Sequence, residues 1–581
     1  MEGDVVFLIK PSELLKDNGV LPVPSRGPEG AFFFASVLVV IGTASEHHEA
    51  RSHEPLLKCL KPGVQRPGSG PVSAGWTHRE KIMKHLGRWA AGAIGIICAV
   101  PALTWAATAA SPETVSPERA SAESVQSEER PWFVRRLFNA YVEEFSPSPG
   151  VASAEPEPVR RALPAPWDSP PYPGGEYQGS PLIGVPVGTK EYPLMKALAG
   201  MSLGEWMRDN RIKTYGWVNG SYNWSNSNNS NQPSSYWIIP KSVVLEQAVL
   251  RVEREADTVQ TDHVDWGFRF SNLYGSNYRY MTSGGWFSNQ LLKGNQRYGY
   301  DPTEVYSDVY VPWIAQGLIL RIGRWVATPD IEIQFAPDNY MATHSLQFTF
   351  DTYTQTGAMA TVMLDKQWTV QGAVHAGTDM APWYKGATPT GMVGVRWVSL
   401  DNNDSAYVVL NNVNTAKFRH FDVNGQPAGH DNFNYVVGTW QRRFTKEIHS
   451  KLAGIYMWQR DAVLGGTPII GPVQSFAGGG ARGAILPGLS QTYGILNYTM
   501  VQVAPRDFVT VRNEWWRDDR GMRSGIAGHY STHAIGLTHQ FNDIVMIRPE
   551  AGFYRCYTRP AFDQATEKNL YMVGADMIVR F

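Results

Sequence analysis

The sequence predicts an all-β protein: a transmembrane antiparallel β-barrel of about sixteen strands, preceded by a mostly disordered N-terminal extension that carries short helices. Three observations predict it. From residue 211 onward, apolar and polar residues alternate with a period of two, aromatic residues gather at the ends of the alternating segments, and long and short connections alternate between the segments. The segments run to about ten to thirteen residues, close to the length that a tilted strand needs to cross a bilayer.

The alternation gives each predicted strand one apolar and one polar face. In one segment, Trp266 and Phe270 alternate with Asp265 and Arg269. The apolar positions of the last segment are Tyr571, Val573, Ala575, Met577, Val579 and Phe581. A soluble β-sandwich would alternate as well, but its strands are usually only about five or six residues long. In lipid, only a closed barrel satisfies every backbone group of such strands.

Connection lengths predict the strand count, because outer-membrane barrels have short periplasmic turns and long external loops. The long connections are 225–239, 275–303, 326–354, 377–389, 413–430, 461–489, 518–528 and 557–568. The short ones are 257–261, 312–316, 365–367, 400–404, 445–449, 504–507 and 542–543. Their alternation predicts sixteen strands with both ends of the barrel chain on the periplasmic side. It requires that the alternating residues 344–351 lie inside the third external loop and do not form a strand.

Residues 83–109 have the organisation of a secretory signal peptide. A basic start at Met83-Lys84-His85 precedes an apolar stretch over 89–103, which is too short to span a membrane as a helix, and small residues follow it. We expect cleavage after Ala109, or after Ala106 as the alternative. Residues 1–82 show no sustained periodicity, so we interpret them as an over-extended, non-native leader, with translation beginning at Met83. A folded N-terminal domain is the alternative.

Between the signal peptide and the barrel, residues 110–192 are rich in Pro, Ser, Glu and Ala, which predicts a disordered periplasmic linker. An amphipathic helix is predicted within it over 131–145, from the helical spacing of Val134, Leu137, Phe138, Tyr141 and Phe145. We expect this helix to dock on the periplasmic rim of the barrel or on a neighbouring subunit, with a specific periplasmic partner as a further alternative. A second short helix is predicted over 193–210, directly before the barrel at 211–581.

Composition and motifs argue against other classes of protein. The chain has 52 basic and 53 acidic residues, so nothing indicates nucleic-acid binding. An outer-membrane enzyme would need a Ser/His or Asp/His constellation near the rim, for which the candidates are His533, His539, Asp518 and Asp519. The two histidines stand six residues apart on one strand, about 20 Å, and cannot form one site with each other. No Gly-x-Ser-x-Gly motif occurs, no residues have metal-ligand spacing, and we expect neither catalysis nor a cofactor.

Several multi-residue motifs are similar to those of a known family. They are Arg321-Ile322-Gly323-Arg324-Trp325, Ala336-Pro337-Asp338-Asn339-Tyr340-Met341, Lys366-Gln367-Trp368-Thr369-Val370-Gln371, Arg512-Asn513-Glu514-Trp515-Trp516 and Ile547-Arg548-Pro549-Glu550. Together with 274–280 and 287–293, they resemble the OmpL-like putative β-barrel porin-2 family over roughly residues 160–581. The resemblance implies an outer-membrane barrel of a Gram-negative type of bacterium. Tyr571, Val573, Val579 and Phe581 look like the C-terminal signal that such barrels present to their assembly machinery.

If the apolar side chains of each strand face lipid, the side chains that alternate with them line a lumen. An arginine or lysine that faces lipid at the midplane lowers the stability of the barrel by about 2–4 kcal/mol, so the charged residues must face inward. The predicted pore-lining residues are Arg251, Asp265, Arg269, Arg321, Arg396, Arg512, Glu514, Arg548, Glu550 and Asp576. The third loop carries Asp330, Glu332 and Asp338, which would oppose the arginines across a constriction. The alternative is that these charges merely pair with one another inside a wet interior.

These features predict a passive outer-membrane porin for ions or small hydrophilic solutes. A weak anion preference is expected, because the predicted lining has six arginines against four carboxylates. The expected partners are outer-membrane lipids, the barrel-assembly machinery and the solutes, with a homotrimer as one oligomeric form. The alternative function is a structural or adhesive barrel with an occluded lumen, which binds its partners through the external loops.

Overall fold

A computed structural model describes residues 132–146, 161, 183–188, 191–234, 236–281, 283–286, 297–327, 331–384, 387–413, 433–465 and 485–581. The chain divides into two compact units, Met1–Ala122 and Glu123–Phe581, and all of the described residues belong to the second. The predicted leader, signal peptide and cleavage sites therefore lie outside the described residues, as do most of the linker and Asp330. Their boundaries stay predictions.

Sixteen antiparallel strands form one closed sheet, in which each strand pairs with the next and β1 pairs with β16. The strands are β1 Lys213–Ser225, β2 Val243–Arg254, β3 Asp265–Gly275, β4 Gly299–Val311, β5 Leu318–Val326, β6 Thr354–Met363, β7 Trp368–His375, β8 Thr390–Val398, β9 Asp404–Val413, β10 Asn434–Arg443, β11 Ile448–Val463, β12 Ile485–Ala504, β13 Asp507–Asp518, β14 Gly528–Gln540, β15 Val545–Cys556 and β16 Asn569–Arg580. Closure runs from Trp217 opposite Arg580 to Ser225 opposite Met572. The predicted fold and strand number are confirmed.

The alternation in sequence becomes an outer and an inner surface. On β16, Val573 and Met577 are 56% and 49% exposed, whereas Asp576 between them is 3% exposed. The closed sheet leaves no unpaired strand edge, so its backbone can lie in lipid. The outward side chains would then contact hydrocarbon. Within the described part of the chain, no helix is both long enough and apolar enough to cross a membrane.

The alternation of long and short connections holds with one difference. The β2–β3 connection covers residues 255–264 and is longer than the predicted turn, since β2 ends at Arg254 and β3 begins at Asp265. The side chain of Asp265 accepts a hydrogen bond from the N–H of Asp257 at 2.8 Å, and Gln260 Oε1 accepts from the N–H of Asp262 at 2.9 Å. These contacts fold the segment into a compact turn. In agreement with the prediction, residues 344–351 form no strand and lie in the third external connection.

Among the described residues before the barrel, the structure has the helices α1 Phe133–Phe145, α2 Pro193–Leu198 and α3 Ser202–Asp209. The single helix predicted over 193–210 is therefore wrong, because the chain breaks between α2 and α3. Gly200 lies there with a φ of +75°, a left-handed conformation that ends a helix and favours glycine. Gly204 then approaches the backbone carbonyl of Leu198 so closely that a Cβ would lie 2.0 Å from its oxygen. In the described parts of the external connections lie the short α-helices α4 Tyr278–Met281 and α5 Leu346–Thr349.

The connection between β5 and β6, residues 327–353, folds into the barrel; we call it loop 3. Its apolar side chains pack against inward residues of the wall in a hydrophobic cluster that includes Phe335, Phe348, Trp217, Leu496 and Ile578. The ring centroids of Phe335 and Trp217 lie 5.4 Å apart in an edge-on arrangement. The barrel therefore has a packed core built around an inserted loop.

Described residues of the predicted linker contact the periplasmic end of the barrel. The Arg161 guanidinium donates to the backbone carbonyl of Gln316 at 2.8 Å and also contacts Thr258 and Tyr310. Ile183 is buried in a cluster with Tyr310, Ile319 and Met363. The linker composition predicted no such contacts.

Candidate pore lumen

Inward carboxylates of β13 and β15 bind the backbone of loop 3. Glu514 accepts hydrogen bonds from the N–H groups of Leu346 at 2.9 Å and Gln347 at 2.7 Å, at the start of α5. Glu550 accepts from the N–H groups of Ala342 and Thr343, both at 3.0 Å. Hydrogen bonds to charged acceptors are roughly twice as strong as neutral ones, so each carboxylate fixes one stretch of the loop.

Inward arginines of the same strands bind loop 3 through its carbonyl oxygens. Arg548 pairs with Asp576 on β16 at 2.5 Å and donates to the carbonyls of Ala336 at 2.8 Å and Asn339 at 2.9 Å. Arg512 donates to the carbonyl of Thr343 at 2.6 Å. The wall thus offers both acceptors and donors to a loop backbone that has few partners of its own.

Loop 3 brings its own charged and titratable groups to this wall. Glu332 lies 4.0 Å from Arg512 and accepts from the hydroxyl of Tyr498 at 2.6 Å. Burial raises the pKa of Glu332 and of Asp338. His344 stacks on Tyr236, with ring centroids 3.9 Å apart, and burial lowers the pKa of His344 well below its ordinary value. The imidazole is therefore neutral at pH 7.

A second set of charge pairs lies on β2 to β5. Arg251 pairs with Glu304 at 3.0 Å, and Arg269 pairs with Glu253 at 2.6 Å. Arg321 pairs with Asp308 through two hydrogen bonds of 2.8 Å and lies 3.6 Å from the ring centre of Tyr306. The Arg269 and Arg321 pairs join neighbouring strands, whereas the Arg251 pair spans from β2 to β4 across β3. Arg251 also lies over the ring of Phe335 in loop 3, 4.8 Å from its centre.

The structure places all ten predicted pore-lining residues on the strands. Nine are buried, and the side chain of Arg269 is 11% exposed. Asp265 lies at the periplasmic end of β3, paired with Arg211 at 2.6 Å and Arg254 at 2.9 Å. Glu332 contacts Arg512 directly and does not face it across an open gap. A role of these residues in conduction stays a prediction.

Several buried charged residues on the strands were missed by the sequence analysis. They are Glu246, Glu253, Asp301, Glu304, Asp308, Arg324, Lys451 and Arg580. Glu253 follows Arg251 by two residues, so the period of two already predicts that both side chains face inward. Asp301 lies beyond an irregularity in the β3–β4 register between Ser271 and Asn272, where a simple count of alternate residues loses the phase. With these residues added, the excess of arginine over carboxylate disappears.

The wall of β6 to β11 has a different inner surface. Its inward side chains are partly apolar and partly polar, and few of them are charged. The apolar ones form a cluster with Tyr306, Trp325 and Met522, namely Met359, Ala373, Met392, Tyr407, Val409, Tyr435, Val437, Ile455 and Met457. Polar side chains lie among them, and Gln371 and Arg396 are 5% and 6% exposed. The predicted polar inner face therefore holds only in part for this wall, because apolar side chains interrupt it.

The residues considered for catalysis are engaged in local contacts. His533 hydrogen-bonds with Asn513 at 2.8 Å, and His539 pairs with Asp507 at 2.7 Å. Asp518 accepts from four consecutive backbone N–H groups of residues 521–524. In the part of the chain that the structure describes, no three His, Cys, Asp or Glu side chains come together as a metal site.

Residues 211–581 match a family described as Putative beta-barrel porin-2, OmpL-like. The chain belongs to this family. The match begins at the residue where the alternating pattern begins, and it spans more than half of the chain. Family membership and the closed barrel identify an outer-membrane porin-like protein and favour a channel over an enzyme.

Solved porin structures are similar to the chain at low identity. The anion-selective porin from Comamonas acidovorans is 9% identical, with a TM-score of 0.39, over 64% of this chain and 99% of that one. OprB of Pseudomonas putida is 12% identical, with a TM-score of 0.41, over 65% and 96%. Salmonella typhi OmpF is 11% identical, with a TM-score of 0.39, over 64% and 99%. No curated protein matches the chain.

Proposed function

We propose that this protein is a passive outer-membrane porin with a narrow lumen, which conducts ions and the smallest hydrophilic solutes in a Gram-negative type of bacterium. The observation that carries the proposal is a closed sixteen-strand barrel of a porin family, whose third loop is held inside the barrel. Burial of the inward charges supports a narrow passage. A wide aqueous channel would leave such side chains accessible to water.

The solute path in this proposal runs beside the wall of β6 to β10. Loop 3 is hydrogen-bonded to β13 and β15, so the space that it leaves lies toward the other wall. Gln371, Arg396 and Gln441 lie on that wall and are 4–6% exposed. They would offer polar groups to a solute between apolar neighbours, a combination that orients small ligands.

Conductance in planar bilayers tests the proposal. The mature barrel, purified from outer membranes, should give small ohmic steps in molar salt. The double variant Glu514→Ala/Glu550→Ala should release loop 3 and raise the step size severalfold. The matched control is Glu253→Ala, another buried strand carboxylate without a contact to loop 3. Absence of steps in both the native protein and the double variant would contradict the pore.

Selectivity is part of the same proposal. The weak anion preference expected from the sequence loses its basis, because buried basic and acidic side chains on the strands balance; we expect little discrimination between anions and cations. Arg321→Ala should shift the reversal potential toward cations, because it leaves Asp308 without its bidentate partner. Arg396→Ala should shift it in the same direction. Unchanged reversal potentials in both variants would exclude these arginines from the path.

A second candidate function is a structural or adhesive barrel with an occluded lumen. The burial of nine of the ten predicted lining residues favours it specifically. The two candidates differ in one result: an occluded barrel gives no steps until loop 3 is released. Crosslinking of the native protein in outer membranes would test whether the chain forms a homotrimer, which is compatible with both.

A further inference from the structure

Helix α1 has an apolar surface that nothing in the described chain covers. Four of its apolar side chains are strongly exposed: Val134 at 52%, Phe138 at 66%, Val142 at 48% and Phe145 at 61%. With about 100° of rotation per residue, these four lie within one arc of about 80° on the helix surface. We call this surface the outer arc. Single exposed apolar residues are normal, but a contiguous set with two phenylalanines indicates an interaction surface.

The other side of α1 is bound to the barrel protein. Ala140 is buried, and Phe133 packs against the cluster of Met195, Leu198 and Met207. Glu144 on the same side pairs with Lys196 at 2.5 Å. The helix is thus held in a fixed rotation, with the outer arc turned away from α2 and α3.

Two hydrogen bonds fix the height of α1 relative to the membrane. The Tyr141 hydroxyl donates to the carbonyl of Arg580, the last residue of β16, at 3.1 Å. The Asn542 side chain, in the β14–β15 turn, donates to the carbonyl of Glu144 at 3.2 Å. Phe541, next to that turn residue, is outward and 50% exposed. The helix therefore lies directly at the periplasmic edge of the lipid-facing surface.

The charges of α1 are arranged as an interfacial helix requires. Arg135 lies about 20° beyond Val142, at the margin of the outer arc, where its guanidinium could reach a lipid phosphate. Glu143 lies about 100° beyond Val142, away from the arc. A cation at the margin of an aromatic and aliphatic face is typical of helices that rest in a membrane surface.

We propose that the outer arc of α1 inserts into the periplasmic leaflet of the outer membrane and anchors the N-terminal segment to lipid beside the barrel. Continuity with the lipid-facing belt at Phe541 selects phospholipid as the occupant over a second copy of the chain. The anchor goes beyond pore function, since it would operate equally in an open or an occluded barrel.

Spin-label accessibility tests the proposal on the whole protein, purified from outer membranes and reconstituted in phosphatidylethanolamine/phosphatidylglycerol vesicles. Single labels at Phe138→Cys and, as a matched control on the same helix, Glu143→Cys are introduced in a background without the native cysteines. Collision rates are measured with oxygen, which concentrates in the bilayer, and with a water-soluble nickel chelate. Heat-modifiable migration in gels confirms that each variant is folded.

The label at position 138 should favour oxygen over nickel severalfold more than the label at 143. A label at Val142→Cys should behave like that at 138. Equal oxygen-to-nickel ratios at 138 and 143 would overturn the proposal, because the arc would then lie in water. Shielding of position 138 from both reagents, with dipolar broadening between labels, would also overturn it and assign the surface to a second copy.

Discussion

The two halves of the barrel interior are built differently although their outer surfaces are alike. On β12 to β16, inward carboxylates and arginines bind the backbone of loop 3, as Glu514, Glu550 and Arg548 do. On β6 to β10, the inward surface mixes apolar side chains such as Met359 and Met392 with polar ones such as Asn411, and Arg396 is the one buried arginine among the described residues of these strands. On both halves, every second side chain faces outward, as Val393 at 59% and Val573 at 56% exposure illustrate.

The difference shows where a loop can be held in a barrel. A loop backbone carries N–H and C=O groups that need partners when water is excluded. A wall with buried carboxylates and arginines supplies many of them, whereas the wall of β6 to β10 binds loop 3 at fewer points, as where the side chain of Asn412 donates to the hydroxyl of Thr352 at 3.0 Å. Methionine has a flexible, unbranched side chain that fills irregular space and can adjust to a neighbouring solute. We infer that β12 to β16 hold loop 3 and that β6 to β10 border the passage.

The largest effect is expected from Arg548→Ala on the wall that holds loop 3. The change leaves Asp576 as a buried charge without its partner and removes two hydrogen bonds to loop 3 carbonyls. Breaking one side of a buried ion pair costs about 3–5 kcal/mol. Urea unfolding in lipid vesicles, followed by gel mobility, should show this loss. The double variant Arg548→Ala/Asp576→Ala should recover part of it, and equal loss in both would contradict the charge argument.

An arginine on the outer surface should cost the same on both halves. Val393→Arg on β8 and Val573→Arg on β16 each place a charge in hydrocarbon, and the expected loss is about 2–4 kcal/mol near the midplane. The same unfolding assay measures it. Arginine at the exposed turn residue Lys446 is the control and should be neutral. A large cost on one half alone would show that the two outer surfaces are not equivalent.

A smaller effect is expected from Met392→Ala on the apolar wall. The buried side chain leaves a cavity, but other flexible methionines of the same cluster, such as Met359, can adjust to it. The loss should lie near the low end for such changes, about 2 kcal/mol. Loop 3 should stay in place, so limited proteolysis of loop 3 should be unchanged in Met392→Ala and faster in Arg548→Ala. Equal cleavage in the two variants would remove the distinction between the walls.

The smallest effect is expected at Asp563, an external carboxylate that accepts hydrogen bonds from loop backbone N–H groups, as the carboxylates of the inner wall do. Asp563 accepts from the N–H groups of Asn228, Asn229 and Ser230. Burial alone would raise the pKa of Asp563, but these N–H groups hold it below its ordinary 3.8. Its contribution to stability is therefore complete above pH 4 and is lost as the pH falls through the lower folded value. Asp563→Ala should cost about 1 kcal/mol at pH 7.

The pH dependence separates this carboxylate from a neutral contact. The stability difference between native protein and Asp563→Ala should narrow between pH 4 and pH 2, as measured by thermal unfolding in detergent. Asp563→Asn is the control, since the amide oxygen can accept from the same N–H groups but does not titrate. A difference that stays constant from pH 7 to pH 2 would contradict the role of the charge.

The outward-facing side chains of the barrel were predictable, because they follow from a local sequence pattern. Val573, Met577 and their equivalents were assigned correctly, since period-two alternation and the cost of charge in lipid leave only one phase. The helix α1 was predicted nearly to its ends for the same kind of reason. The division between α2 and α3 was missed because a single glycine, Gly200, decides it through its backbone conformation.

The sequence by itself determined the barrel, its strand number, its outer phase and the insertion of residues 344–351 in a loop. Only the tertiary structure decided what fills the interior. Period two says which side chains point inward, but the partners of those side chains lie far away in sequence. Glu514 and Leu346 are 168 residues apart, and Glu550 and Ala342 are 208 apart. No local pattern encodes such pairs, because they arise only when the closed sheet brings a loop from one side against strands of the other.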